Sequence, residues 1–153
     1  MFKNCFQSPC KKKIALFYCK VLDLLECTLW PSLLLFIRYW MAKVFFDSGL
    51  TKISSWESTL YLFQYEYKVP IIHHELAAIF ATCFELGCPA LLLFGLMTRL
   101  AAIPLLCMTA VIQFTYLDFI DHLYWAILLG TIILHGPGKL SIDHLIRKSC
   151  KES

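Results

Sequence analysis

Between Ile71 and Met97 the chain reads IIHHELAAIFATCFELGCPALLLFGLM, an apolar run interrupted near its middle by Glu85. A helix rises ~1.5 Å per residue, so roughly 20 residues cross the ~30 Å hydrocarbon core of a bilayer. This run is long enough to span with some tilt. A carboxylate at the bilayer centre costs about 2.5–3.5 kcal/mol on insertion scales. The rest of the chain must therefore supply something that meets it.

Composition agrees with a membrane setting. Of 153 residues, 59% are hydrophobic and 16% charged. A soluble domain sits nearer 45–50% apolar and about 25% charged. The excess gathers in four runs, at about residues 29–46, 71–97, 100–117 and 122–135. This pattern predicts an all-α membrane protein, a four-transmembrane-helix bundle. Residues 28–144 form its membrane domain, 1–27 a cytoplasmic or interfacial lead-in, and 145–153 a cytoplasmic tail. The net charge of +3 is spread over the ends of the apolar runs and forms no basic face, so nucleic acid is not an expected partner.

Orientation follows from the basic residues. Five lysines precede the first run, Arg99 sits between the second and third, and Lys139, Arg147, Lys148 and Lys151 follow the fourth. The other side carries Lys52 and Lys68. Both termini are therefore expected in the cytoplasm.

Punctuation marks the segment ends. Trp30 and Pro31 suit an interfacial helix start. Lys43 and Asp47, four apart, can pair on one helix side. Residues 48–70 form the longest loop, with a short surface helix expected near Trp56 to Tyr67 and Pro70 closing it. Thr98-Arg99 and Asp118 to Asp121 are short turns, and Gly136-Pro137-Gly138 is a strong helix stop. Pro89 and Pro104 cannot donate to the carbonyls of Glu85 and Leu100, so kinks are expected there.

Eight cysteines contain no C-x-x-C and no zinc-type spacing with histidine. They read as small buried side chains and reduced cytosolic thiols. Cys83 and Cys88 point roughly 140° apart on one helix, which disfavours a bridge between them.

Arg38 is the expected partner of Glu85. With both termini cytoplasmic, Arg38 lies roughly 15 Å and Glu85 roughly 18 Å deep, on consecutive helices. Leaving either charge alone costs more than pairing them. Glu75, Ala78, Thr82, Glu85 and Pro89 share a stripe of roughly 80°, small and polar on a bulky helix. Three readings follow. The pair fixes the register of two helices, or it lines a polar cavity handling a proton or a quinone-type headgroup, or Arg38 snorkels away. In the second, Glu85 and Arg38 are the proton-relay and headgroup residues, and Arg38, Glu85 and Thr82 the quinone contacts. A second polar group, Lys43, Asp47, His73, His74, Glu75, Asp118, Asp121 and His122, reads as a solvated rim and not as a metal site. His135 reads as an interfacial hydrogen-bonding residue.

Arg38, Ser48-Gly49-x-x-Lys52, Glu85-Leu-Gly87, Gly95-Leu-x-Thr98-Arg99-x-Ala101-Ala102 and Gly136-Pro137-Gly138-x-Leu140-Ser141-x-Asp143, in this order, resemble the DoxX family over about residues 33–144. Cys88 stands where the family pattern has a second glycine. The resemblance implies a four-helix protein of the bacterial inner membrane. It also implies a membrane subunit of a quinone-linked redox or thiol-stress complex, with a soluble or membrane redox partner; a homo-oligomer is a separate expectation. The alternatives are a scaffold that anchors a soluble partner through its basic ends, and a small-solute transporter, which needs oligomers to form a pore. The sequence shows no nucleophile–base pair, phosphate loop or dinucleotide fingerprint, so catalysis by this chain alone is not expected.

Overall fold

The computed structural model describes residues 9–67, 72–115 and 120–152. Lys3, Cys5, Lys68, Pro70 and Asp118, on which some expectations rest, lie outside them. Among the described residues every regular element is helical: α1 (Pro9–Leu24), α2 (Trp30–Ser54), α3 (Trp56–Tyr61), α4 (His74–Phe94), α5 (Thr98–Thr115), α6 (Ile120–His135) and α7 (Ile142–Glu152). Two π-helical stretches, Leu25–Leu29 and Leu62–Tyr67, follow α1 and α3.

The chain divides into two compact units, Met1–Leu33 and Leu34–Ser153. In the first, Leu16, Phe17, Tyr18 and Leu24 are exposed along α1. The Ser32 hydroxyl donates to the Thr28 carbonyl at 2.8 Å.

In the second unit, α4, α5 and α6 follow one another as packed neighbours. The core takes Ile37, Met41, Ala42 and Phe45 from α2, Cys88 and Leu92 from α4, Ala101, Ala102 and Leu105 from α5, and Leu129 and Ile132 from α6. Three of these are alanines, whose small side chains let helix backbones approach where no hydrophobic effect drives association. Phe45 of α2 meets Trp125 of α6 edge-on, with ring centroids 5.9 Å apart.

The outer surface is apolar to a degree a water-soluble protein does not sustain. Phe114 is 89% and Leu134 76% exposed, and Phe80, Phe94, Leu100, Leu123 and Ile127 face outward with them. α4 is long and apolar enough to cross a membrane, and α5 and α6 are shorter apolar helices. Both α4 and α5 remain helical through Pro89 and Pro104.

The α4 end shows how the sequence closes a helix. Gly95 adopts a left-handed conformation at φ 69°. Its N–H reaches the Leu92 carbonyl at 3.2 Å, and the Leu96 N–H reaches Leu91 at 3.0 Å. This paired arrangement is the Schellman motif, which favours glycine at the left-handed position.

Several boundaries differ from expectation. The second run is helical only over His74–Phe94, and the turn expected at Thr98-Arg99 lies at 95–97, because left-handed Gly95 stops α4 and α5 already begins at Thr98. The first apolar helix does not stop at residue 46 but continues to Ser54. Asp47 lies on its exposed side, while Gly49 is buried and Lys52 mostly so, because the inward stripe carries on past the apolar run. The surface helix expected near Trp56 to Tyr67 is α3 with its π extension, but it also folds inward. Phe63 is buried against Ala77 and Ala78 of α4.

Candidate functional site

Glu85 is 3% exposed at its side chain, midway along α4. Its partner is Lys52, not Arg38. The Lys52 ammonium donates to Oε1 at 2.9 Å and to Oε2 at 2.6 Å, and a third donation goes to the Ser48 hydroxyl at 2.9 Å. All three ammonium hydrogens therefore have acceptors, the condition under which a lysine tolerates desolvation.

The backbone makes this meeting possible at Gly49. A Cβ there would fall 2.9 Å from Leu86 Cδ2 and 3.2 Å from Glu85 Cβ. Without a side chain at 49, α2 settles against α4 at the level of Glu85, and Lys52, three residues on, reaches the carboxylate along the same face.

Arg38 serves the C-terminal end of α4. Its Nε donates to the Leu92 carbonyl at 2.9 Å and Nη2 to Leu93 at 3.0 Å. Nη1 donates to the carbonyls of Pro137 at 2.7 Å and Leu140 at 2.8 Å. Leu92 already accepts from the Gly95 N–H, so the guanidinium adds a second donor there, supplies one to Leu93 and meets the negative end of the helix dipole. Arg38 thus ties α2, the end of α4 and the turn after α6 together. The expected Arg38–Glu85 contact is not formed, because the register of α2 on α4 places Arg38 beside Leu92 and Leu93 and puts Lys52 beside Glu85.

Asp143 completes that tie. Its carboxylate accepts from the Met97 N–H at 2.8 Å and from the N–H and hydroxyl of Thr98, both at 3.0 Å. Its own N–H donates to the Gly95 carbonyl at 3.0 Å. Burial pushes the Asp143 carboxyl up, but the Thr98 and Met97 donors and the Arg38 charge outweigh burial and hold it below its ordinary value.

Thr82, the third expected headgroup contact, gives its hydroxyl to the Ala78 carbonyl at 2.8 Å. It is not part of the cavity that reaches Glu85. That cavity, about 190 Å³, has Lys52 and Glu85 at its polar end and an apolar wall that includes Phe63, Tyr67, Phe80, Phe84 and Met108. Burial first, then the charges of Glu85 and Glu66, pushes the Tyr67 phenol up, so it stays neutral.

Of the second polar group, Asp118 lies outside the described residues. His122 Nδ1 lies 3.1 Å from Gln113 Oε1, and the His73 and His74 rings are 4.2 Å apart. Among the described residues, no three His, Cys, Asp or Glu side chains gather to hold a metal. Lys52 and Glu85 form an ion pair, and Lys43 and Asp47 do not form one.

Sequence reasoning missed Lys52 by assigning it to a solvated loop. A signal was present. Leu34, Arg38, Met41, Ala42, Phe45, Gly49 and Lys52 fall at helical spacing on one stripe, and all but Lys52 are buried. Extending that stripe past residue 46 brings Lys52 to the inward face.

Comparison with known proteins agrees with this architecture. The DoxX family profile matches residues 33–118. An uncharacterized protein of Haemophilus influenzae is 30% identical across 75% of this chain and 83% of its own length. No solved structure matches. The family match spans α2, α4 and α5, the helices that carry Arg38, Lys52, Glu85 and Thr98, and the chain therefore belongs to the DoxX family of membrane proteins.

Proposed function

We propose that this protein is the quinone-interacting membrane subunit of a redox or thiol-stress complex, and that the cavity ending on Lys52 and Glu85 receives the quinone headgroup. DoxX membership supports a general membrane redox- or stress-related role. In this reading α2, α4, α5 and α6 each cross the bacterial inner membrane, with both termini cytoplasmic, and a soluble or membrane partner supplies electrons. The distribution of lysine and arginine supports that orientation.

The carrying observation is a buried ion pair closing an otherwise apolar, aromatic-walled cavity. About 190 Å³ is smaller than a whole drug-sized ligand site of roughly 300–1,000 Å³. It suits a ring, with any apolar tail passing outward between Phe80 and Phe84, which are 54% and 43% exposed. A quinone bound there takes up two electrons and two protons when reduced. The partner supplies both electrons. One Lys52 N–H turns from the Ser48 hydroxyl to a ring oxygen, the Lys52–Glu85 pair passes one proton to that oxygen, and the second proton comes from solvent. Arg38, with its donors committed to carbonyls, positions the helices and does not touch the headgroup.

Ubiquinone-1 binding to the full chain in phosphatidylcholine nanodiscs tests this. The wild type binds, Glu85→Gln and Phe84→Ala each weaken binding at least about tenfold, which is ~1.4 kcal/mol, and Thr82→Val does not. No binding by the wild type, or equal binding by Glu85→Gln, overturns the reading.

A further inference from the structure

We propose that a second cavity, at the opposite end of α4, binds the phosphate of an anionic phospholipid headgroup. It measures about 420 Å³ and lies between the α4–α5 turn, the Gly136-Pro137-Gly138 turn and α7. Arg99, Lys139 and Arg147 line it, with His135 and His144 beside them. The carboxylate in its wall is Asp143, whose two oxygens are already engaged by Met97 and Thr98. Three permanent cations thus face one committed carboxylate, which makes the cavity electropositive.

The arginine is held in place by the fold. Arg99 Nη2 donates to the Leu134 carbonyl at 3.2 Å. Gly136, at φ 82°, lies under the guanidinium, and a Cβ there would come within 3.1 Å of Nε and Nη2. Glycine therefore lets the Arg99 side chain rest on the turn, with the cavity at its side.

Position and border distinguish a lipid from a free anion. α4 ends at Phe94, α5 begins at Thr98 and α6 ends at His135, so the cavity sits at the level where apolar helices stop. Basic pockets at that level match anionic headgroups. Its apolar members Met97, Leu100 and Ile146 are 54%, 59% and 50% exposed, a surface suited to the start of an acyl chain and of no use to inorganic phosphate. α7 carries Ile142, Leu145 and Ile146 at helical spacing, all exposed, as in a helix lying in the membrane interface.

The test is native mass spectrometry of the detergent-solubilised full chain, offered phosphatidylglycerol and phosphatidylcholine with the same acyl chains. The wild type retains phosphatidylglycerol preferentially. Arg147→Gln, on the exposed face of α7, lowers that retention roughly fivefold, and Arg99→Gln with Arg147→Gln lowers it further by a similar factor. Lys43→Gln, outside the cavity, leaves it unchanged. Equal retention of the two lipids, or no loss in Arg147→Gln, overturns the proposal. Displacement of phosphatidylglycerol by equimolar inorganic phosphate overturns the lipid assignment in favour of a free anion. None of these outcomes depends on quinone binding.

Discussion

Lys52 holds both carboxylate oxygens of Glu85, at 2.9 and 2.6 Å, from a helix that meets α4 through Gly49. Removing one member of a buried pair leaves an uncompensated charge, a loss of about 3–5 kcal/mol. Lys52→Met should therefore lower the unfolding midpoint in detergent far more than Glu85→Gln, which leaves a neutral amide able to accept from the ammonium. The double variant Lys52→Met with Glu85→Leu should recover most of the loss. Equal destabilisation by the double and single variants would show that the two side chains are not coupled.

Arg38 is 1% exposed and donates to four backbone carbonyls. A lysine there has three donors and no planar fork, so it cannot reach all four. Each buried carbonyl left without a donor costs about 1–3 kcal/mol. Arg38→Lys should be clearly destabilised and Arg38→Ala more so, with the first amide protons to exchange lying in the α4–α5 and α6–α7 turns. Hydrogen exchange confined to other regions would contradict the role of Arg38 as their common tie.

Glycines on α4 and at its end should respond in opposite ways. At Gly95 a Cβ would lie 2.7 Å from both Arg38 Nη2 and Ser141 Cβ, in a left-handed backbone. At Gly87 a Cβ meets nothing within 4 Å. Gly95→Ala should lose at least about 1–2 kcal/mol, from backbone strain of that size and the added collision. Gly87→Ala should be neutral or gain up to about 1 kcal/mol from helix propensity. Thermal unfolding of the two variants side by side checks the contrast.

Asp143 makes the α7 attachment sensitive to acid. Its carboxyl is held below the ordinary value by Thr98, Met97 and Arg38, against the effect of burial. A group with a lowered folded pKa contributes stability above its unfolded value, about 3.9 for aspartate, and loses it as pH falls through the folded value. Hydrogen exchange at the start of α7, corrected for intrinsic rates, should be flat from pH 5 to 7 and rise below about 4. In Asp143→Asn it should be raised at every pH with no acid transition. A transition near pH 6 would point to a different group.

Much of this architecture is written in local chain chemistry. The apolar runs specify helices of membrane character. Gly95 and Gly136-Pro137-Gly138 specify where helices stop, because they allow left-handed turns or break the helix. The burial of Arg38 and Glu85 follows from their place on apolar helices. Which cation neutralises Glu85 did not follow from depth alone. Arg38 and Lys52 lie fourteen residues apart in sequence, close to one face of a single helix, and both are candidates until the register of α2 on α4 is known. That register arises from contacts between distant segments: Gly49 on Leu86, and Arg38 on carbonyls of α4 and the turn before α7. A translation of two helices past each other is invisible to helical periodicity, which describes each helix alone. Side-chain reach and the absence of a Cβ at one position choose among the translations, and so the tertiary fold assigned the ion pair to Lys52.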